Sequence, residues 1–579
     1  MTPRSSRPHP VLRRVATIGT GLVAVALTGA VAAVGLPGGF GTVAGAVPDV
    51  ERIEASTPER TLVCPAPVRL ADSAQVGDAQ FGAAPVETTA VLRAGVVGTG
   101  STTGDPGETP VTLTGLEALD AAPLEHEGAG ATVVSLADVT EGQAVRVGAG
   151  MPADTRVAAS VGSTTTAGDL RGLAAASCAA PDIDHWLVGG STEVGSSAQL
   201  VLQNPGRTPA TVRLSVWGPG GPVVLSGGGQ YLVPPGGEVV TLVEASAPEQ
   251  RRLAVRVEST GGTVAAYLQH STLAGLVPLG VDYVVPGAAP ARSTAVGFTS
   301  TGEAVDDALA PQVRLLAPGA EAGTATLTVY GADGRVRVRG GEQVELAPGV
   351  VTDQSLGGLP AGAYTVVVDA TVPVVTGAVE ARAGDTAQDS PAGAAQVDRA
   401  WIASTAVVPV ATAATAATAD IDPEDVPDPT RRTPDRGTVT LVPGTSGVVR
   451  VGAVPRERSE DSDPTGAFRG TLRAYGPDGA LLGETELDVP AGSTATFDVG
   501  DLGAGTEPAV LTLDADQEQD ATTTGAEPVW SVLLTAGPVL TGAPEGSPGT
   551  LVSVLLPVSP AASQGSVDVR ATRTAGLPD

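Results

Sequence analysis

Three stretches of this chain repeat one pattern, and the pattern admits paired β-sheets and little else. The first places Val212, Leu214 and Val216 at alternate positions before Trp217-Gly218. The second places Ala325, Leu327 and Val329 before Tyr330-Gly331, and the third Leu472 and Ala474 before Tyr475-Gly476. Apolar residues at every second position give a strand with one buried face. The Gly-rich or Asp-Gly sequence that follows each aromatic starts a hairpin. The returning segment reaches Pro235, Pro348 and Pro490, which lie 17, 17 and 14 residues beyond Gly218, Gly331 and Gly476. Two further strand-like segments follow in each repeat, as in residues 253–259 with 263–269. Many short strands joined by turns are the mark of a β-sandwich.

Each repeat is expected to open on an acid followed by an aromatic strand. These openings are Asp184-His185-Trp186, Asp282-Tyr283 and Asp398-Arg399-Ala400-Trp401. The aromatics are 97 and 118 residues apart, a spacing that suits modules of roughly 100 residues. The expected fold class is therefore all-β, with tandem immunoglobulin-like β-sandwich domains after an N-terminal signal or transmembrane helix. The expected divisions are 1–14 (basic cytoplasmic segment), 15–36 (membrane helix or signal core) and 50–181 (N-terminal β-rich domain). Sandwich repeats then occupy 182–281, 282–397 and 398–579. The last carries acidic insertions and C-terminal strands. Residues 50–181 match the repeat poorly but hold strand-like pieces. Gly (76) and Pro (48) exceed a fifth of the 579 residues, which argues against a helical protein.

The N-terminus addresses the compartment. Arg4, Arg7, Arg13 and Arg14 precede an uncharged run from Val15 to Leu36, and the next charge is Asp49. At about 1.5 Å per residue the run matches a ~30 Å hydrocarbon core. Arginines on one side only place the N-terminus inside and the remainder outside. The run serves either as an uncleaved anchor, giving a single-pass cell-membrane protein, or as a signal peptide cut after Ala46 to release a secreted one. Four of the 33 bases lie before the run, leaving 29 against 63 acids, a net of −34 outside. Such a surface excludes nucleic acid as a partner. Cys64 and Cys178 are the only cysteines, and an exported, widely spaced pair reads as one structural disulfide.

Motifs for chemistry are scarce. The chain has no Lys, hence no P-loop and no Schiff-base lysine. No serine sits in a G-x-S-x-G elbow. His126, His185 and His270 have no metal-ligand spacing. Catalytic and cofactor-binding residues are expected to be none. Calcium is the weak exception. Asp420, Asp422 and Glu424 supply clustered oxygens of the type that ion prefers. A second oxygen-rich run holds Asp514, Asp516 and Asp520. Neither run has the loop pattern of an EF-hand.

Several segments carry a wider likeness. They are Ser56-Thr57, Leu62-Val63-Cys64-Pro65, residues 186–190 (WLVGG) and residues 200–206 (LVLQNPG), after the arginine-led apolar run. In these the chain resembles an uncharacterised family of actinobacterial exported or membrane-anchored envelope proteins with a domain of unknown function. The resemblance implies a β-rich exterior, no catalytic residues, and association with membrane enzymes of envelope glycan synthesis. The expected role is a non-catalytic extracytoplasmic scaffold or accessory interaction subunit. Its partners would be an envelope protein or cell-wall glycan, and the membrane through the N-terminal helix. A glycan-binding module or adhesin, and a secreted hydrolase, are the alternatives.

Overall fold

A computed structural model describes residues 51–53, 59–70, 88–98, 111–116, 131–148, 155–338, 341–386, 395–407, 435–458, 464–503, 505–516, 525–539, 541–542, 549–558 and 567–569. Two four-residue helices, Val243–Ser246 and Val499–Leu502, are the only helices among them, and no described helix is long and apolar enough to cross a membrane. The apolar run 15–36 lies outside the described residues, as do His126, Asp420, Asp422 and Glu424. The protein is all-β. Two separate bodies are present. One contains a small sheet in which Glu51–Ile53 pairs with Val567–Val569. The other, 56–564, contains every remaining strand.

The second body holds four sheet pairs of one topology. The second pair shows it most clearly. Its opening strand Asp184–Val188 borders Ala254–Thr260, which borders Ala210–Gly218 and its hairpin partners Gly221–Val223 and Gln230–Val233. The facing sheet runs Glu238–Leu242, Ser196–Gln203, Ala265–Ala274 and Val277–Val284. Leu187, Val212, Leu214, Val255 and Val257 of one sheet meet Leu200, Leu202, Ala266 and Leu268 of the other in a shared core. The expected alternation thus faces inward, with Val212, Leu214 and Val216 buried between exposed Arg213 and half-buried Ser215 and Trp217.

The third and fourth pairs keep this order. In the third, the single strand Gly362–Thr386 does the work of two. Its first half pairs with Ala291–Ser300 and Gly323–Gly331, and its second with Gln312–Leu316 and Ala395–Ala403. In the second pair the same path is broken at Gly261, whose φ of +86° lets the chain turn. The fourth pair sets Asp435–Thr440, Val510–Ala515, Ala467–Tyr475 and Leu481–Pro490 against Thr494–Asp498, Ser446–Pro455, Ala526–Ala536 and Leu551–Leu555.

Two findings differ from the sequence reading. First, the N-terminal segment is a fourth copy. Arg60–Cys64, Gln143–Val147 and Val111–Gly115 form one sheet, and Ala131–Ala137, Thr88–Val97, Arg156–Thr165 and Gly172–Ser177 the other, in the same pairing order. It lacks the aromatic-Gly hairpin that marks the other three, so the sequence pattern missed it. Second, the aromatic strands at Asp282 and Asp398 do not open repeats. Val277–Val284 pairs with the preceding Ala265–Ala274, and Ala395–Ala403 with the preceding Gly362–Thr386. Each closes a sheet. Asp184 alone lies on an opening strand. The similar residues mark different positions in the topology, because buried acid–aromatic strands occur at both.

The four sheet pairs join head to tail and then close. Between the first and second, Tyr267 Oη accepts from Ala66 N at 3.0 Å and Tyr283 Oη donates to Ala66 O at 2.8 Å. Between the second and third, Arg314 donates to Gly190 O at 2.6 Å while gripping Asp353 with Nε and Nη2. Between the third and fourth, buried Arg450 meets buried Glu380 at 2.8 Å. The fourth returns to the first through Arg156 with Asp514 and through Ser160 Oγ, which donates to Thr440 O at 2.7 Å. Asp514, a candidate calcium ligand, is thus committed to Arg156 and Arg473. Removing the hydroxyl in Tyr267→Phe leaves the Ala66 N–H buried without this acceptor. The expected loss is about 1–2 kcal/mol, read by urea denaturation of the purified protein.

Candidate functional site

The closing strands of the four sheet pairs, Gly172–Ser177, Val277–Val284, Ala395–Ala403 and Leu551–Leu555, pack round one centre. Strands of different sheet pairs are not laddered there. Three side chains supply the missing bonds. Asp398 Oδ2 accepts from Leu173 N at 2.9 Å and Val552 N at 2.7 Å, and Oδ1 accepts from its neighbour Arg399 N at 3.0 Å. Asp282 Oδ2 accepts from Trp401 N at 2.8 Å, and its Oδ1 from Ser553 Oγ at 2.8 Å. Ser553 Oγ in turn accepts from Ala175 N at 3.0 Å. Asp282 and Asp398 therefore bind the second and third closing strands to each other, to the first and to the fourth.

Small residues permit this approach. A Cβ on Gly172 would lie 2.7 Å from Asp398 Oδ1 and 2.8 Å from Val281 N. One on Gly280, whose φ is +109°, would lie 2.7 Å from Arg399 N. Any side chain at either position would force the closing strands apart.

The electrostatics of the hub are those of a dry interior. Asp282 is 2% exposed and Asp398 0%. Burial pushes Asp398 up to about 7, against the pull of its three backbone N–H donors and of Arg171. Burial also raises Asp282 well above the usual carboxylate range, against the hydrogen bonds from Trp401 and Ser553. Arg171, 1% exposed, donates Nη2 to Thr550 Oγ1 at 3.2 Å, and its acidity is increased by the same desolvation. Next to Asp282, Trp401 Nε1 donates to His270 Nδ1 at 3.2 Å. That bond makes Nδ1 an acceptor and the imidazole neutral. Burial, with Arg399 and Arg314 nearby, lowers His270 to about 3.

The residues singled out in the sequence separate into distinct places. Cys64 and Cys178 form a disulfide with Cα atoms 4.2 Å apart. It ties the end of the opening strand Arg60–Cys64 to the residue after the closing strand Gly172–Ser177. His185 is buried and its Nε2 lies 2.7 Å from Val264 O. His185 and His270 sit in different sheets of the second pair. Among the described residues no group of three His, Cys, Asp or Glu is placed to hold a metal. The hub itself was visible in the sequence only as two acids beside aromatics. Ser553, Leu173 and Val552 carry no motif, since they matter through the backbone and through the neighbours that folding supplies.

Fold and hub together define an all-β protein of four like sheet pairs closed on a buried polar centre. Residues 125–457 match a family of unknown function, DUF5719, and the chain belongs to that family. The matched region begins within the first sheet pair and ends just beyond Ser446–Pro455 in the fourth. No curated protein matches, and no solved structure matches.

Proposed function

We propose that this protein is a non-catalytic extracytoplasmic scaffold, an accessory interaction subunit of a cell-envelope assembly. The supporting observation is the hub. Its two buried acids, the strongest candidates for proton chemistry, are engaged in holding four closing strands together rather than facing an open cleft. Repeated modules in mutual contact suit a protein whose function lies in its outer surfaces. The sandwiches are read as immunoglobulin-like modules from their shared cross-sheet connections. Export is supported by the arginine-led apolar run and by the disulfide, a bond that persists in oxidising compartments. The proposed location is the outer face of an actinobacterial cell membrane, anchored by residues 15–36, with an enzyme of envelope glycan assembly as partner. The residue usage behind that source is the absence of Lys and the abundance of Ala, Gly, Val and Arg.

The glycan-binding alternative requires exposed aromatic platforms, yet Trp186, Trp401 and Trp530 are buried. The test is affinity capture through a C-terminal tag from crosslinked, detergent-solubilised native cells. Recovery of a membrane enzyme of envelope synthesis supports the scaffold. Recovery of cell-wall glycan without a protein partner overturns it in favour of the adhesin.

A further inference from the structure

The sheet pairs share a topology but differ at their borders. In the fourth, Leu481–Pro490 is laddered only to Ala467–Tyr475 among the described residues, and it turns Glu484, Glu486 and Asp488 to solvent. Charges at a bare edge keep other strands from adding to it. In the third, Gln343–Leu346 exposes Glu345, and Thr352–Ser355 carries Asp353, ion-paired with Arg314 and Arg252. The second pair lacks such protection. Its border strand Glu238–Leu242 is laddered only to Ser196–Gln203 among the described residues, and it exposes Val240. Leu232 is exposed on the other border strand, Gln230–Val233, whose Tyr231 Oη lies 3.2 Å from Thr241 Oγ1. From residue 214 to residue 243 the one charged side chain is Glu238, in a chain of 63 acids and 33 bases. That acid is paired with Arg69.

We infer that Glu238–Leu242 is the interface for a second copy of this chain, added antiparallel so that two four-stranded sheets become one of eight strands. Charge selects this occupant. Pairing centred on Val240 sets Val240 against the partner's Val240 and Glu238 against the partner's Leu242, so no acid faces an acid. The same arrangement on Leu481–Pro490, centred on Glu486, would set Glu486 against the partner's Glu486 and Glu484 against the partner's Asp488. Like charges directly opposite are destabilising. The chain as a whole carries a net charge of −30, and two copies repel least where the surface is neutral.

Continuity with a contact already made points the same way. Val240 lies opposite Val201, and Val201 opposite Tyr267. Directly opposed side chains share one face of the sheet. Val201 and Tyr267 are buried at the junction with the first sheet pair, in a cluster with Val68 and Leu170. One apolar row therefore runs across the outer face of this sheet, from the covered junction to the bare edge. A second copy continues the row through its own Val240, and the backbone groups of the edge gain ladder partners. The inference goes beyond the scaffold reading and does not depend on it.

The test is sedimentation velocity of the full chain in detergent over a range of protein concentration. A concentration-dependent dimer is expected. Added salt should strengthen it, because screening weakens the repulsion between two acidic chains. Val240→Asp sets two carboxylates face to face at the centre of the interface and should weaken dimerisation by about tenfold or more. Val240→Cys should form a disulfide between copies on mild oxidation, because directly opposed Cβ atoms lie about 4.5–5.5 Å apart, close to the reach of that bond. Leu481→Cys, on the acidic edge, should not. A monomer at every concentration, a dimer unaffected by Val240→Asp, or equal crosslinking from Val240→Cys and Leu481→Cys overturns the inference. Dimerisation that salt weakens overturns it too, since the contact would then join opposite charges instead of neutral edges.

Discussion

Asp398→Ala should cost about 4 kcal/mol or more of unfolding free energy, an unusually large effect for one surface-sized side chain. The substitution removes the acceptor of three backbone N–H groups, on Leu173, Val552 and Arg399. All lie in a dry interior, where each unsatisfied donor costs about 1–3 kcal/mol. Where Asp398 is ionised, as at pH 8, the substitution also removes the opposite charge that favours buried Arg171, a cost absent at pH 5. Urea denaturation at pH 5 and pH 8, followed by far-ultraviolet circular dichroism, measures it. A loss below about 1 kcal/mol would mean that the hub does not hold the ring.

The same centre makes a prediction about pH. Asp398 has its folded pKa raised from the ordinary carboxylate value to about 7. Below about pH 4 the acid is protonated in both folded and unfolded chains, and its burial carries no ionisation penalty. As pH rises toward 7 the unfolded chain ionises first, so this contribution to stability falls across that window. His270 works in the opposite direction. Its folded pKa is lowered to about 3, so its contribution is present above the unfolded value near 6.5 and is lost as pH falls toward 3. The windows overlap and the slopes oppose. Asp282, raised by the same burial, adds to the slope of Asp398, so each group is read from its own variant relative to wild type. Relative to wild type, Asp398→Asn should gain stability as pH rises between about 4 and 7. His270→Gln should gain as pH falls over a similar range. Parallel profiles for wild type and both variants would show that neither group keeps its unusual proton affinity.

The second large effect is expected at the disulfide. Replacing both Cys64 and Cys178 by Ser should destabilise the protein by roughly 4–5 kcal/mol in the chain-entropy view, because the bond spans 114 residues of sequence. The pair is fully buried against Leu62, Leu92 and Val145, so the serine hydroxyls add a desolvation cost. The bond joins the first strand of the first sheet pair to the end of its closing strand, which feeds the hub. Its loss should therefore expose residues of the first pair and loosen the contacts that Leu173 and Ala175 make with Asp398 and Ser553. Hydrogen exchange of the oxidised and Cys-free proteins would locate the change. Loss of protection confined to 56–70 would show that the hub closes without the staple.

Much of the local structure was readable in the chain. Strands follow from alternation at Val212, Leu214 and Val216, or Leu327 and Val329, because a pleated strand exposes every second side chain to the same core. Turns follow from Gly220-Gly221 and Asp478-Gly479, because glycine accepts the positive φ a hairpin needs, +107° at Gly221 and +79° at Gly479. The disulfide was expected from an even, widely spaced pair of cysteines, and Cys64 and Cys178 form it. Pairing order was less legible. Asp282-Tyr283 and Asp184-His185-Trp186 look alike along the chain, yet one strand closes a sheet and the other opens one. Strand order is a property of hydrogen bonds between distant segments, and no single segment records its partner.

The likeness of the first sheet pair to the other three, and the hub, were decided by tertiary structure alone. The strands within 60–177 reach the common topology without the aromatic mark, since several sequences fill one sandwich core. At the hub, Ser553 and Asp282 are 271 residues apart, and Leu173 and Asp398 are 225 apart. A lone acid in a sequence carries no sign of whether it will face water or three buried amides. Composition and alternation determined that this chain forms β-sheets, because those depend on side-chain polarity and local backbone geometry. Ring closure and the proton affinities of Asp398 and His270 depend on what folding brings near, and only the assembled structure holds that information.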